Sequence, residues 1–221
     1  MYDLYLFDFD GTLVDSMPSI LHASRRTFEE KGLPVPDDDA LRAALADGRG
    51  VEFFFAILVP GLGLDEAEGW VALWRELYET EARPHTRPYP GALKTLARLR
   101  EAGAATAVVS NKGEPALRLA MAEYGFEPLM DAAAGDVAGL PKKPFAEMYH
   151  QRIAPMLGDA PGPEPARILM VGDSEADLRF GRAIGARCAF AAYGYGQAEE
   201  CLALAPELVL DSVTDLQRLV R

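Results

Sequence analysis

The sequence predicts an α/β fold, a doubly wound parallel sheet with a helical insert after its first strand. Over most of the 221 residues, short apolar runs alternate with amphipathic segments. This alternation is typical of a parallel sheet covered on both faces by helices. It fails between about Asp15 and Arg87, where only helical periodicity is found. The chain is therefore predicted to be an α/β core interrupted early by a helical unit.

The predicted core strands are short and apolar, and amphipathic helices connect them. The strands are Leu4–Phe9, Ala104–Ser110, the weaker Ala132–Ala134, Ile168–Val171, Arg187–Ala192 and Leu208–Leu210. The helices are Ala92–Ala102, Glu114–Tyr124, Phe145–Met156, Asp177–Ile184, Ala198–Leu204 and Val213–Val220. Gly103, Gly125 and Gly185 follow three of them, where a left-handed cap residue belongs.

The insert is predicted to contain helices only. They are Ser19–Lys31, Asp38–Leu45, Val51–Leu58 and Asp65–Arg83. Phe53–Phe55 and the pair Trp70 and Trp74 lie at helical spacing, and we interpret both groups as core packing of this unit. The predicted boundaries are residues 1–15 and 86–221 for the core and residues 16–85 for the insert.

The composition excludes several functional classes. The net charge of −12 argues against binding to nucleic acid or to anionic membranes. No basic leader and no apolar stretch long enough to span a bilayer is found. There are two cysteines, and Cys188 lies in an apolar run typical of a core residue. These features favour a cytoplasmic protein.

The first candidate site lies at the end of the first strand. Asp8 and Asp10 are two residues apart, so their side chains are expected to point to the same side of the strand, and Gly11 permits a sharp turn. Two such carboxylates can hold a hard cation, and one can attack an electrophile. For Asp10-Gly11 alone, an ordinary turn is the favoured interpretation.

Two further segments are weak signals by themselves. Ser110 and Asn111 end a strand before a helix, where small donors and backbone N–H groups bind phosphate, although both residues are also common helix caps. Lys142 and Lys143 precede a proline, and a fixed lysine there can neutralise a phosphoryl group. The alternative for the lysines is an exposed basic loop.

The fourth segment is more specific. A buried strand ends in Gly172-Asp173, and Asp177 follows about one turn into the next helix. Asp173 is expected at the same sheet edge as Asp8, so oxygen ligands converge there from separate strands. The alternative interpretation has Ser174 or Asp173 as a helix cap and Asp177 as a favourable charge in the first turn.

In this order, the four segments resemble the motifs of the haloacid dehalogenase superfamily of phosphohydrolases over nearly the whole chain. The resemblance implies a Rossmann-like core with the insert as its cap. The chain is most similar to phosphoglycolate phosphatase-like members, on Asp8–Ser16, Gly48-Arg49-Gly50, Tyr193-Gly194-Tyr195-Gly196 and Ala205-Pro206-Glu207.

The resemblance also implies roles for single residues. Asp8 would be the nucleophile and a Mg²⁺ ligand. Asp10 would be the general acid and base, with its carbonyl on the metal. Asp173 would complete the metal site. Asp177 would orient this site through water or a hydrogen bond. The phosphoryl oxygens would be held by Thr12, Ser110, Asn111 and Lys143.

Two departures from the family pattern leave alternatives open. A second proline is missing after Lys143-Pro144, so Lys142 could replace Lys143. Arg49 stands in the cap loop where many relatives have a smaller polar residue. It is expected either to read a substrate carboxylate or to be an exposed hinge residue.

The function expected from these features is a Mg²⁺-dependent phosphatase acting on a small phosphorylated metabolite. One alternative is a phosphosugar mutase of the same fold. Another is a noncatalytic phosphate-binding or signalling module, although such modules need neither an acid–base partner like Asp10 nor a large cap. The physiological substrate and the oligomeric state are not predicted by the sequence.

Overall fold

A computed structural model describes residues 1–46, 51–158 and 163–219 of the chain. Six strands form a parallel sheet in the order β5-β4-β1-β6-β7-β8, and two short strands, β2 and β3, pair separately. The strands are β1 (Leu4–Phe7), β2 (Val14–Asp15), β3 (Arg87–Pro88), β4 (Ala105–Gly113), β5 (Ala132–Asp136), β6 (Ile168–Gly172), β7 (Arg187–Ala191) and β8 (Leu208–Leu210). From β1 the chain adds β4 and β5 on one side of the sheet. It then returns to the other side of β1 and adds β6, β7 and β8 in turn. The predicted doubly wound parallel sheet is therefore confirmed.

The first strand lies at the centre of the sheet. Its residues pair in parallel with β4 on one side and with β6 on the other. Leu4 and Leu6 pack into the apolar cluster on one face, while Tyr5 and Phe7 pack into the cluster on the opposite face. All four are fully buried, as expected for a central parallel strand. The carboxyl end of β1 therefore lies among the carboxyl ends of the central strands, away from the edge strands of the sheet.

The helices agree with most of the predicted positions. They are α1 (Met17–Glu30), α2 (Asp38–Ala46), α3 (Val51–Leu58), α4 (Leu64–Leu77), α5 (Ala92–Glu101), α6 (Glu114–Glu123), α7 (Glu175–Ala183) and α8 (Ala198–Ala203). Gly103, Gly125 and Gly185 have φ values of +88°, +79° and +73°, which confirms the predicted left-handed caps. None of the helices within the described ranges is long and apolar enough to cross a membrane.

Three predicted helices differ from the structure. The segment predicted as Phe145–Met156 contains a π-turn over Tyr149–Ile153 and a 3₁₀ turn over Ala154–Leu157, because Pro155 cannot donate the hydrogen bond that an α-helix requires. The C-terminal segment forms a 3₁₀ helix over Val213–Leu219. There the Asp215 carboxylate accepts the N–H groups of Asp211 and Ser212 and so caps the start of this 3₁₀ helix.

The third difference lies in the insert, where α4 ends at Leu77. A π-turn over Tyr78–Ala82 and a 3₁₀ turn over Arg83–His85 follow it, so the predicted helix to Arg83 is too long. Pro84 occupies the second position of the 3₁₀ turn and cannot continue an α-helix.

The chain separates into two compact units. One consists of Met1–Asp15 and Pro88–Arg221, and the other of Ser16–Arg87. The second unit has its own aromatic core, in which the rings of Phe28, Phe55 and Trp70 lie 5.4 to 6.1 Å apart. The indole of Trp74 donates a hydrogen bond to Ser24 Oγ over 3.1 Å. Phe55 and Trp70 thus have the core role that their spacing predicts.

Candidate active site

Three neighbouring strands bring the predicted site residues to one edge of the sheet. Asp8 directly follows β1, Ser110 lies in β4, and Asp173 directly follows β6. These strands are adjacent in the order β4-β1-β6. Ligands of doubly wound folds bind beyond the carboxyl ends of the strands, where the winding direction reverses. The candidate site therefore lies at the expected place for a ligand.

The centre of the site is a buried acidic cluster. One carboxylate oxygen from each of Asp8, Asp173 and Asp177 lies within 4.8 Å of the others. The three residues are 7%, 4% and 1% exposed. Charged groups are buried at this depth only when other charges or hydrogen bonds compensate them. The partners of each carboxylate therefore decide what the cluster can do.

Lys143 compensates two of the three carboxylates. Its Nζ atom lies 2.5 Å from Asp8 Oδ1 and 2.5 Å from Asp177 Oδ1, and the residue is 4% exposed. Burial alone would lower the pKa of Lys143. The negative charges of Asp177 and Asp8 raise it by more than burial lowers it, so the pKa lies above its ordinary value. The ammonium ion is therefore retained. Lys142, by contrast, has a half-exposed side chain, and its Nζ atom lies 3.7 Å from Asp136 Oδ2.

Asn111 fixes the main chain of Lys143. Its Nδ2 donates to the carbonyl oxygen of Lys143 over 3.2 Å, and its Oδ1 accepts the N–H of Lys143 over 3.0 Å. This reciprocal pair aligns the lysine loop with the end of β4. The amide of Asn111 is thus engaged with protein groups.

Asp173 is held by uncharged donors. Its Oδ1 accepts the hydroxyl of Thr12 over 3.2 Å, and its Oδ2 accepts the N–H of Tyr195 over 2.8 Å. Gly11 has a φ of +84°, and a β-carbon at this position would overlap the Asp173 carboxylate. Glycine is therefore required for the turn after β1 and the carboxylate to approach each other.

Asp177 has a structural function in its own helix. Its Oδ2 accepts the N–H of Ser174 over 2.9 Å and the Ser174 hydroxyl over 2.7 Å, which forms a capping box at the start of α7. Its Oδ1 accepts the hydrogen bond from Lys143. The cap interpretation of Ser174 is therefore confirmed, and Asp177 also positions the buried lysine.

Asp10 lies apart from the acidic cluster. Both of its carboxylate oxygens lie near the Nζ atom of Lys112, at 3.3 and 3.4 Å, and the side chain is 23% exposed. Lys112 is in turn connected to the predicted phosphate-binding residue, since its N–H donates to Ser110 Oγ over 3.2 Å. A partly exposed carboxylate can exchange protons with substrate and water more readily than a buried one.

The charge of the cluster suits a divalent cation. Burial raises the pKa of Asp8 to about 7, although Lys143 opposes the shift, and burial raises the pKa of Asp173 well above its ordinary value. The raised pKa values mean that the single charge of Lys143 is too little to stabilise all the carboxylates in their anionic form. A hard divalent cation would compensate the remaining charge, and its preferred ligands are carboxylate and carbonyl oxygens. The residues present in the cluster therefore fit a hard divalent cation such as Mg²⁺.

The sequence did not assign roles to two residues at this site. Lys112 belongs to the segment that carries Ser110. Its contact with Asp10 joins residues 102 positions apart, so no local sequence pattern indicates it. Tyr195 contributes its backbone N–H, which every residue except proline possesses. Arg49, the predicted substrate-reading residue, lies outside the described residues.

Comparison with known proteins identifies the family. The sequence model of one protein family, the haloacid dehalogenase-like hydrolases, matches residues 2–185 of this chain. The chain is 32% identical to phosphoglycolate phosphatase 1 of Pseudomonas aeruginosa over 96% of this chain and 78% of that protein. It is 29% identical to the tyrosine-protein kinase PtkA of Mycobacterium tuberculosis, over 89% of this chain and 64% of the kinase.

A solved structure extends the similarity to the whole fold. The crystal structure of a predicted phosphoglycolate phosphatase from Haemophilus somnus has a TM-score of 0.85 and 22% identity, and the match covers 99% of this chain and 97% of that one. At this identity the structure supports the fold alone. The family match and the curated relatives go further: the chain belongs to the haloacid dehalogenase-like hydrolase family.

Proposed function

We propose that this chain is a Mg²⁺-dependent phosphatase that hydrolyses small phosphate monoesters through an aspartyl-phosphate on Asp8. The observation that carries the proposal is the position of Asp8 at the end of the central strand. Lys143 contacts one of its oxygens, and a carboxylate oxygen of Asp173 lies within 4.8 Å of an Asp8 carboxylate oxygen in the same cluster. A carboxylate between a cation and a metal site can act as a nucleophile on an anionic phosphoryl group.

The proposed reaction has two steps. An oxygen of Asp8 forms a bond to phosphorus as the bond to the substrate oxygen breaks, and Asp10 donates a proton to that leaving oxygen. Asp10 then removes a proton from water, and the water oxygen attacks phosphorus, which releases phosphate and restores the Asp8 carboxylate. Asp10 is suited to both transfers because it is partly exposed and is held by Lys112.

The phosphoryl oxygens are assigned to Ser110 and Lys143. The Lys143 ammonium is fixed next to Asp8, and Ser110 is buried in the adjacent strand β4. The hydroxyl of Thr12 and the amide of Asn111, both predicted from the resemblance to touch phosphate, are engaged with Asp173 and Lys143. We therefore propose that these two side chains position the residues that they contact.

The metal would be held by the carboxylates of Asp8 and Asp173 and by the carbonyl oxygen of Asp10. When bound, Mg²⁺ would neutralise charge on the phosphoryl group and favour in-line attack. Asp177 would support this arrangement through Lys143 and the cap of α7, since both of its oxygens are already engaged.

We further propose that residues 16–85 act as a cap that selects the substrate. The residues at the sheet edge recognise only phosphate and metal, so discrimination has to come from other parts of the chain. Arg49 is our candidate for reading a carboxylate at the nonreacting end of the substrate, as in phosphoglycolate. Its role follows from the sequence alone.

A substrate screen tests the proposed function. The enzyme is incubated with Mg²⁺ and phosphoglycolate, sugar phosphates, phosphotyrosine or p-nitrophenyl phosphate, with Asp8→Asn as the inactive control. We expect repeated turnover and release of inorganic phosphate in equal amount to the dephosphorylated product. A phosphosugar isomer formed without inorganic phosphate would instead indicate a mutase.

A further inference from the structure

The segment that follows β7 packs directly on Asp173. We call residues Tyr193–Gly196 the 193–196 loop. The Tyr195 N–H of this loop donates to Asp173, and the two glycines pack so closely on Asp173 that neither position has space for a side chain. A β-carbon at Gly194 would overlap the Asp173 side chain, and one at Gly196 would overlap the Asp173 carbonyl oxygen. The loop therefore contacts both the main chain and the carboxylate of this residue.

Two tyrosine hydroxyls anchor the loop to the segment after β1. Tyr193 donates to the carbonyl oxygen of Thr12 over 2.9 Å, and Tyr195 donates to Asp15 Oδ1 over 3.0 Å. The Tyr193 ring also packs edge-on against Tyr89, with centroids 4.8 Å apart and an interplanar angle of 75°. The loop is thus fixed to the segment that leads away from the proposed nucleophile.

The contacts of Asp173 differ in kind from those of the other two carboxylates. Asp8 and Asp177 share the charge of Lys143, whereas both oxygens of Asp173 accept hydrogen bonds from uncharged groups. Such donors fix the orientation of the carboxylate without neutralising it. Each oxygen keeps a second lone-pair direction for a cation.

We propose that the 193–196 loop is a positioning element that holds Asp173 in the orientation required to bind the divalent cation. This inference rests on the proposed metal site and assigns a function to residues outside the four motifs. Partners that orient a metal ligand typically change metal affinity by about 10- to 100-fold when they are altered. The loop acts through Asp173 and needs no contact with the substrate.

Calorimetric titration of the substrate-free enzyme with Mg²⁺ tests the proposal. In Gly194→Ala, the new methyl group would overlap both the Asp173 side chain and the Gly11 carbonyl oxygen, so it should displace Asp173 and weaken Mg²⁺ binding by about 10-fold or more. In Tyr195→Phe, loss of the hydroxyl group and of its hydrogen bond to Asp15 should weaken Mg²⁺ binding by about threefold. Gly69→Ala is the matched control, because a β-carbon there meets no atom within 4 Å. Its Mg²⁺ affinity should equal that of the wild type.

A positioning role also predicts a specific kinetic signature. In both loop variants, the Mg²⁺ concentration for half-maximal rate should rise, while kcat should recover towards the wild-type value at saturating Mg²⁺. A merely structural role would lower the melting temperature and leave the Mg²⁺ Kd of the folded protein unchanged. If Gly194→Ala does not fold, Tyr195→Phe carries the test.

The titration distinguishes a failure of the role proposed for the loop from a failure of the proposed metal site. If the wild type binds Mg²⁺ and the folded loop variants bind it with the same Kd, the role of the loop is refuted and the proposed phosphatase is unaffected. If the wild type itself binds no Mg²⁺, the proposed metal site is refuted together with this role.

Discussion

The Nζ atom of Lys143 lies 2.5 Å from Oδ1 of Asp8, and both side chains are buried. The contact joins residues 135 positions apart and brings the loop after β5 to the end of the central strand. Because Lys143 also contacts Asp177, it is shared between the proposed nucleophile and the start of α7. Its substitution should therefore affect both turnover and stability.

Lys143→Met should lower kcat/KM for p-nitrophenyl phosphate by at least about 100-fold, since a charge-assisted contact to the phosphoryl group and the alignment of Asp8 are both lost. Removing one partner of a buried ion pair should also cost about 3–5 kcal/mol in the free energy of unfolding, measured in urea. Lys142→Met is the matched control and should differ little from the wild type. Equal losses in the two variants would contradict the assignment of Lys143.

Lys112→Met should lower kcat about 10-fold, because Asp10 loses the cation that orients it for proton transfer. Lys112→Arg should retain most activity, and the exposed Lys94→Met should be neutral. If Lys112 acts through Asp10, the Lys112→Met change should have little further effect in an Asp10→Asn background. Independent, multiplicative losses in the double variant would show that Lys112 has another role.

Removal of divalent cations should abolish turnover, because burial then favours the protonated forms of Asp8 and Asp173, and a protonated carboxyl group is a poor nucleophile. Dialysis against a chelator followed by titration with Mg²⁺ should restore the rate in a saturable way. Ca²⁺, which takes more oxygen ligands in looser geometry, should not support turnover. Undiminished activity after thorough chelation would refute the metal assignment.

The two cysteines should be inert in the folded protein. Both are buried, and burial raises the pKa of Cys188 to about 11 and that of Cys201 to about 12, so few thiolates form near neutral pH. Titration with a thiol reagent at pH 8 should detect almost no reactive thiol before denaturation and two afterwards. Rapid native labelling with loss of activity would contradict this assignment.

The course of the main chain in the core followed from local patterns. The apolar run Leu4–Phe7, the glycines after three helices and the polar residues at strand ends each report a local requirement for burial or backbone conformation. Elements ended differently from the prediction where a proline changed the hydrogen bonding, as at Pro84 and Pro155. Those effects depend on individual donors rather than on periodicity.

The contacts within the site were less predictable than its position. The motifs place Asp8, Ser110 and Asp173 at one edge because parallel strands share a direction. The partners of each side chain depend on tertiary distances, so the sequence could not assign Lys112 to Asp10 or the N–H of Tyr195 to Asp173.

The most direct test of the account is to identify the phosphorylated residue. Wild-type enzyme is mixed with substrate and Mg²⁺, quenched rapidly in acid, reduced with borohydride and digested for mass spectrometry. We expect an acyl-phosphate on Asp8, which reduction converts to homoserine at that position. Asp8→Asn should give no such product while keeping its fold. Phosphate found on Ser110 or on a histidine, or turnover that persists in Asp8→Asn, would contradict it.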